Sequence, residues 1–260
     1  WIFNVLPYIE QQPLRDLQVG KTGAERADAA SRMIATPLPI FNCPSRRAAK
    51  AFRANTTLWH YRTPLIGGAT GDERTAATPE VARTCYAINA GETDSGNKAP
   101  GGAVGTFGSG PANYQTGAAA NYFRTEWEPR IARVTGVTSM TSRFSPASVR
   151  DGLSNTYLVG EKYIDSERYS DGVDNGDNEN MYMGSNADIE RYSGVGNEWP
   201  PQQDVRGFAN INCWGSIHAG SFAMSLCDGS VRTISYDIDL TIHRRLANRK
   251  DGQAVGEIPY

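Results

Sequence analysis

The side chains best suited to nucleophilic or metal chemistry are three histidines, His60, His218 and His243, and four cysteines, Cys43, Cys85, Cys213 and Cys227. No cysteine pair has CxxC or metal-finger spacing, and no HExxH motif, Gly-x-Ser-x-Gly elbow or Walker loop occurs. His218 stands in the most patterned stretch, where nine residues separate it from Asp228-Gly229. Were Ser221 to Cys227 an extended strand, its ends would hold His218 and Asp228 ~20 Å apart, too far for a catalytic dyad. Structural roles follow: Asp228-Gly229 as the positive-φ pair of a two-residue type I′ hairpin, and His218 as a cap or packing residue at the other turn. A hydrolase at His218 therefore has no motif behind it, and an enzyme is not expected.

The densest set of oxygen ligands is Asp165, Glu167, Asp171, Asp174, Asp177 and Glu179, interleaved with Gly172, Asn175, Gly176 and Asn178. Calcium requires roughly six to eight oxygens at about 2.3–2.6 Å, which makes Asp171, Asp174, Asp177 and Glu179 candidate ligands. The spacing is not that of an EF-hand, and a solvated acidic loop is the competing reading. No other cofactor is expected. Aromatic residues Trp59, Tyr61, Tyr114, Tyr122, Phe123, Trp127, Tyr182, Tyr192 and Trp199 lie in polar, loop-like segments. Exposed, they would form a stacking platform for sugars or a subunit interface; buried, they would pin loops to a sheet.

The elements that must position these residues can be read from pattern. The 260-residue chain has 27 glycines, 39% hydrophobic and 21% charged residues, which suits a loop-rich, strand-containing domain with a modest core. Net charge is −2, so the long-range attraction of a nucleic-acid binder is missing. Residues 24–35 are Ala-rich and helix-favouring up to Thr36-Pro37, and Pro37 to Pro44 reads as extended. Tyr86 to Asn89 suits a strand, and 91–121 a long surface loop. Ser145-Pro146 opens a short helix ending at Asp151-Gly152, and Asn155 to Ile164 alternates as a strand. A polar insertion at 165–206 precedes a β-meander at 208–236, and Ile238, Leu240, Ile242 and Leu246 suit a last short helix. No linker divides the chain, so one α+β domain over 1–260 with an antiparallel sheet, short helices and long loops is expected.

A reversal centred on Gly220 would set Cys213 opposite Cys227, near the lower edge of disulfide geometry. Cys43 would by elimination pair with Cys85. Four buried free thiols are the alternative. Bridges would imply an oxidising compartment.

His218 with its nine-residue spacing to Asp228-Gly229-Ser-Val231 resembles the C-terminal signature (H-X9-DG) of a planctomycete-type pseudopilin-like family of unknown function. Four more blocks resemble that family in order: Trp1 to Gln12, Phe41-Asn-Cys-Pro-Ser-Arg46, Tyr86-Ala-Ile-Asn-Ala-Gly91, and Val149 to Lys162. Members begin with a prepilin-type leader and a long apolar helix, whereas this sequence opens on Trp1 with no apolar run near the ~20 residues of a membrane span. The sequence is therefore expected to be a processed or partial record of a longer protein, with any membrane contact made through that N-terminal helix. The resemblance implies a pilin/pseudopilin-like globular domain at the cell surface or in a type II secretion or type IV pilus-like assembly. Its partners would be copies of itself or other pilin-like subunits. A surface carbohydrate-binding or adhesin module that uses Trp127 and Trp199 is the alternative.

Overall fold

The computed structural model describes residues 1–54, 80–93, 134–138, 143–184, 186–194 and 199–256. Trp59, His60, Tyr61, Tyr114, Tyr122, Phe123, Trp127 and most of the expected 91–121 loop lie outside these residues.

The apolar lead-in forms α1 (Ile2–Val5) and, after one 3-10 turn, α2 (Gln12–Arg15). Ile2, Leu6 and Leu14 from this segment are buried with Met33, Phe41 and Met181. Next comes α3 (Gly23–Ala35), whose buried stripe is Ala29, Ala30, Met33 and Ile34. It stops because Pro37 restricts Thr36 to the extended conformation. The stretch after it is not wholly extended, since Pro39–Phe41 closes a 3-10 turn.

Strands β1 (Ala51–Arg53) and β2 (Glu80–Ala82) pair antiparallel as a separate ribbon. The main sheet contains β3 (Tyr86–Thr93), β4 (Tyr157–Glu161), β5 (Glu190–Gly194), β8 (Ser221–Leu226) and β9 (Val231–Ser235), in the order β5-β3-β4-β8-β9. All neighbours are antiparallel except β3 and β5. Two short strands, β6 (Gln202–Gln203) and β7 (Gly215–Ser216), pair parallel beside it. The expected helix after Ser145 is only a 3-10 turn, Pro146–Ser148. The last helix, α4 (Leu240–Ala247), starts where the Asp239 carboxylate accepts from the Thr241 and Ile242 amides. It closes the core of Ala87, Tyr157, Trp214, Phe222, Met224 and Leu246. The architecture is α+β, with short helices and a mostly antiparallel sheet.

The meander differs from expectation at both ends. At Asp228-Gly229 the loop is three residues long, because Leu226 N donates to Ser230 O at 2.8 Å and Gly229 N to Leu226 O at 2.9 Å. Gly229 alone takes a positive φ, +86°, so the turn is a type I turn closed by a glycine bulge instead of type I′. At the other end Gly220 does reverse the chain, with φ +77°. Yet β7 pairs with β6, and both edges of β8 are taken by β4 and β9. Cys213 and Cys227 are therefore not opposed, and the expected Cys213–Cys227 and Cys43–Cys85 bridges are not formed: all four thiols are free. Cys213 sits against Gln202 and Asn210, whereas the Cys227 thiol points at the Tyr157 carbonyl.

Candidate functional site

Arg46 and Arg47 leave the Cys43-Pro44 turn and point inward. Arg46 pairs with Asp204 at 2.8 Å and donates to the carbonyls of Cys85, Lys162 and Gly215. Arg47 grips Asp177 with both terminal nitrogens. Lys162 reaches Asp177 at 3.0 Å and donates to the Gly176 and Asp188 carbonyls at 2.7 Å each. All of these groups are buried. Asp177 is held well below the usual carboxylate range because the charges of Arg47 and Lys162 outweigh its burial. In the opposite direction, burial raises Glu179, and so does the nearby Asp188 carboxylate.

This removes the calcium reading of the acidic insertion. Asp171 is exposed and pairs with Arg168. Asp174 accepts from the Asp165 and Gly176 amides, Asp177 is taken by Arg47 and Lys162, and Glu179 accepts from Asn186. Asp171, Asp174, Asp177 and Glu179 thus have different partners and form no metal-compatible cluster among the described residues. The competing picture of a solvated loop fails too, because Asp165, Asp174, Asp177, Glu179 and Asp188 are all buried. The chain provides its own partners for them: Arg47 and Lys162 for Asp177, and backbone or side-chain amides for the others.

A second polar set lies under α4. Ser193 Oγ is 2.9 Å from His243 Nε2, and Tyr157 OH is 3.2 Å from His243 Nδ1. It has the residue types of a nucleophile and base, but all three side chains are buried in the sheet–helix core. Burial alone lowers the histidine to about 3, so it stays neutral. The set satisfies polar atoms inside the core.

His218 belongs to a different environment. Its side chain is 48% exposed, and its Nε2 lies 3.6 Å from Glu161 Oε1 and 3.7 Å from Cys43 Sγ. These ligand atoms all fall within 4.8 Å of one another, and theirs is the one metal-compatible cluster among the described residues. The opposite carboxylate oxygen of Glu161 accepts from Ala223 N at 2.8 Å, which holds Oε1 toward the ring. The His218 amide donates to Ser216 Oγ at 3.1 Å, and its carbonyl accepts from Tyr236 OH. Tyr86 is the cross-strand partner of Glu161, which puts it on the same sheet face. Burial raises its phenol to about 12, with further help from the Glu161 carboxylate. Asp228 lies at the far end of β8, as the strand length required.

A family model described as "Protein of unknown function (DUF1559)" matches residues 1–241. The chain belongs to that family. No curated protein and no solved structure matches it.

Four of the blocks singled out in the sequence meet around His218. Phe41 to Arg46 brings Cys43, the strand from Tyr86 brings its phenol, Val149 to Lys162 brings Glu161, and the C-terminal signature brings the imidazole. Two of those blocks also reach the buried charges, since Arg46 follows Cys43 by three positions and Lys162 follows Glu161 directly. Adjacent residues on extended chain project to opposite faces, so one short stretch supplies both regions. Sequence reasoning placed His218 at its turn but missed Glu161 and Cys43 as its companions. Gly160-Glu161-Lys162, a charged pair inside a strand otherwise apolar or aromatic, was the available signal. Of the described aromatics, Tyr192 is buried and Trp199 half-buried, their rings 6.2 Å apart, which is the loop-pinning outcome at that point.

Proposed function

We propose that the chain is an extracytoplasmic structural subunit, pseudopilin-like, whose activity is to hold a shape within an assembly of similar subunits at the cell surface or in a secretion-type machine. The observation that carries this is the buried ionic lattice of Arg46, Arg47 and Lys162 with Asp204 and Asp177. It fixes a loop-rich polypeptide in one form by bonds between segments far apart in sequence, which suits a part that presents a constant surface. The resemblance of Trp1 to Gln12 and of the His218 signature to pseudopilin-like proteins supports the same role. No helix among the described residues is long and apolar enough to cross a membrane.

The test is the native protein recovered from its own cells. Mass spectrometry of its N-terminus, together with native size, should give a mature chain that starts upstream of Trp1 and is found in fibres or a membrane-associated complex. A monomer recovered from reducing cytosol overturns the proposal.

A further inference from the structure

We infer that Cys43, Glu161 and His218 form a zinc site with an open fourth position. The three side chains offer one sulfur, one oxygen and one nitrogen, all within 4.8 Å of one another. Bond lengths of about 2.3 Å to sulfur and 2.0–2.2 Å to nitrogen and oxygen, at a tetrahedral angle, separate the donors by roughly 3.3–3.6 Å. The observed separations from His218 Nε2 are 3.7 Å to Cys43 Sγ and 3.6 Å to Glu161 Oε1. Two of the three edges of the ligand triangle are therefore already near the length that a bound ion imposes. At 3.6 Å the imidazole and carboxylate are too far apart for a direct hydrogen bond.

The connectivity separates a metal site from a nucleophile with its base. In a Cys–His–acid triad the acid holds one ring nitrogen while the thiol faces the other. Here the sulfur and the carboxylate both face Nε2. The three groups converge on one point instead of forming a relay. The backbone amides of Ser45 and Arg46 lie against the Cys43 sulfur. Those amides are suited to a thiolate stabilised by coordination. The hydrogen bond from Ala223 to the second oxygen of Glu161 is the kind of outer contact that aims a ligand.

The donor set selects the metal. A thiolate disfavours calcium and magnesium, which take oxygen, whereas mixed sulfur, nitrogen and oxygen donors suit zinc. Glu161 and Cys43 are buried and His218 is half-exposed, so the fourth position faces solvent beside Tyr86. Such a position takes water or a donor from a partner molecule. The site is independent of the assembly role proposed above, because the isolated chain is sufficient to bind the ion.

The experiment titrates the reduced, folded chain with Zn2+ against a chromophoric chelator, and separately loads it with Co2+. The expected result is saturable binding of one zinc per chain, no competition by Ca2+ or Mg2+, and a thiolate-to-cobalt charge-transfer band. His218→Ala should weaken zinc by more than the roughly 10–100-fold that follows loss of an outer partner, and Cys43→Ser should abolish the cobalt band. Because His218 is half-exposed, His218→Ala decides the matter even if Cys43→Ser does not fold. The inference is overturned if the folded wild-type chain binds no zinc saturably, or if His218→Ala binds it as tightly as wild type.

Discussion

Asp177, in the loop before β5, and Glu161, at the end of β4, are both buried carboxylates, and they meet opposite fates. Asp177 finds Arg47 and Lys162 in contact and is neutralised within the fold. Glu161 meets a neutral thiol, a phenol and a half-exposed imidazole, with one oxygen bound to an amide and the other turned to the ring. The first region is closed, since each of its three cations contacts one of two carboxylates, Asp177 serving both Arg47 and Lys162, and removing a carboxylate strands its partners. The second is open, since its donors point at a common centre and no lysine or arginine contact reaches the carboxylate among the described ion pairs. Stability belongs to the first region and ligand chemistry to the second.

The largest effect should come from breaking the closed region. Asp177→Ala leaves Arg47 and Lys162 buried without their carboxylate and should cost about 3–5 kcal/mol in chemical denaturation. A loss below about 1 kcal/mol would mean that the lattice does not hold the insertion.

Acid sharpens the contrast further. His243 titrates near 6.5 when unfolded and about 3 when folded, so between these values the unfolded chain binds a proton that the native one refuses. Stability should therefore fall by a few kcal/mol as pH drops through that window, and His243→Gln should flatten the slope. Asp177 adds its own loss below about pH 4, because its lowered value gives stability present above the unfolded carboxylate range and lost as pH falls further. A melting temperature flat from pH 6.5 to 4 would contradict the buried, neutral imidazole.

The smallest effect belongs to the open region. Without metal, His218→Ala should change stability by less than about 0.5 kcal/mol, since the ring is half-exposed and its contacts are a weak sulfur hydrogen bond to Cys43 at 3.7 Å and the Glu161 carboxylate at 3.6 Å. A cost above about 2 kcal/mol would move His218 into the structural class and erase the difference between the two regions.

Much of the local structure was legible in the sequence, for reasons confined to a few neighbouring residues. Pro37 ends α3, Asp239 opens α4, and Gly229 supplies the left-handed residue of its turn. The turn type itself was misread because loop length, not the dipeptide, sets it. The calcium and disulfide expectations failed for a shared reason: each assumed that residues near in sequence, or symmetric about a turn, would face each other. Instead β8 was taken on both sides by β4 and β9, and the acidic residues went to different partners, Asp171 at the surface and Asp174, Asp177 and Glu179 inside.

Composition, periodicity and turn chemistry determined that this would be a loop-rich α+β chain with its His218 turn far from Asp228, because those properties are set over a few residues at a time. Which charges neutralise each other, and which donors share a centre, was decided by tertiary structure alone. Arg47 and Asp177 are 130 positions apart, and Cys43 and His218 175. No local rule reaches across such distances; only the packing of distant loops and turns onto the sheet brings those side chains together.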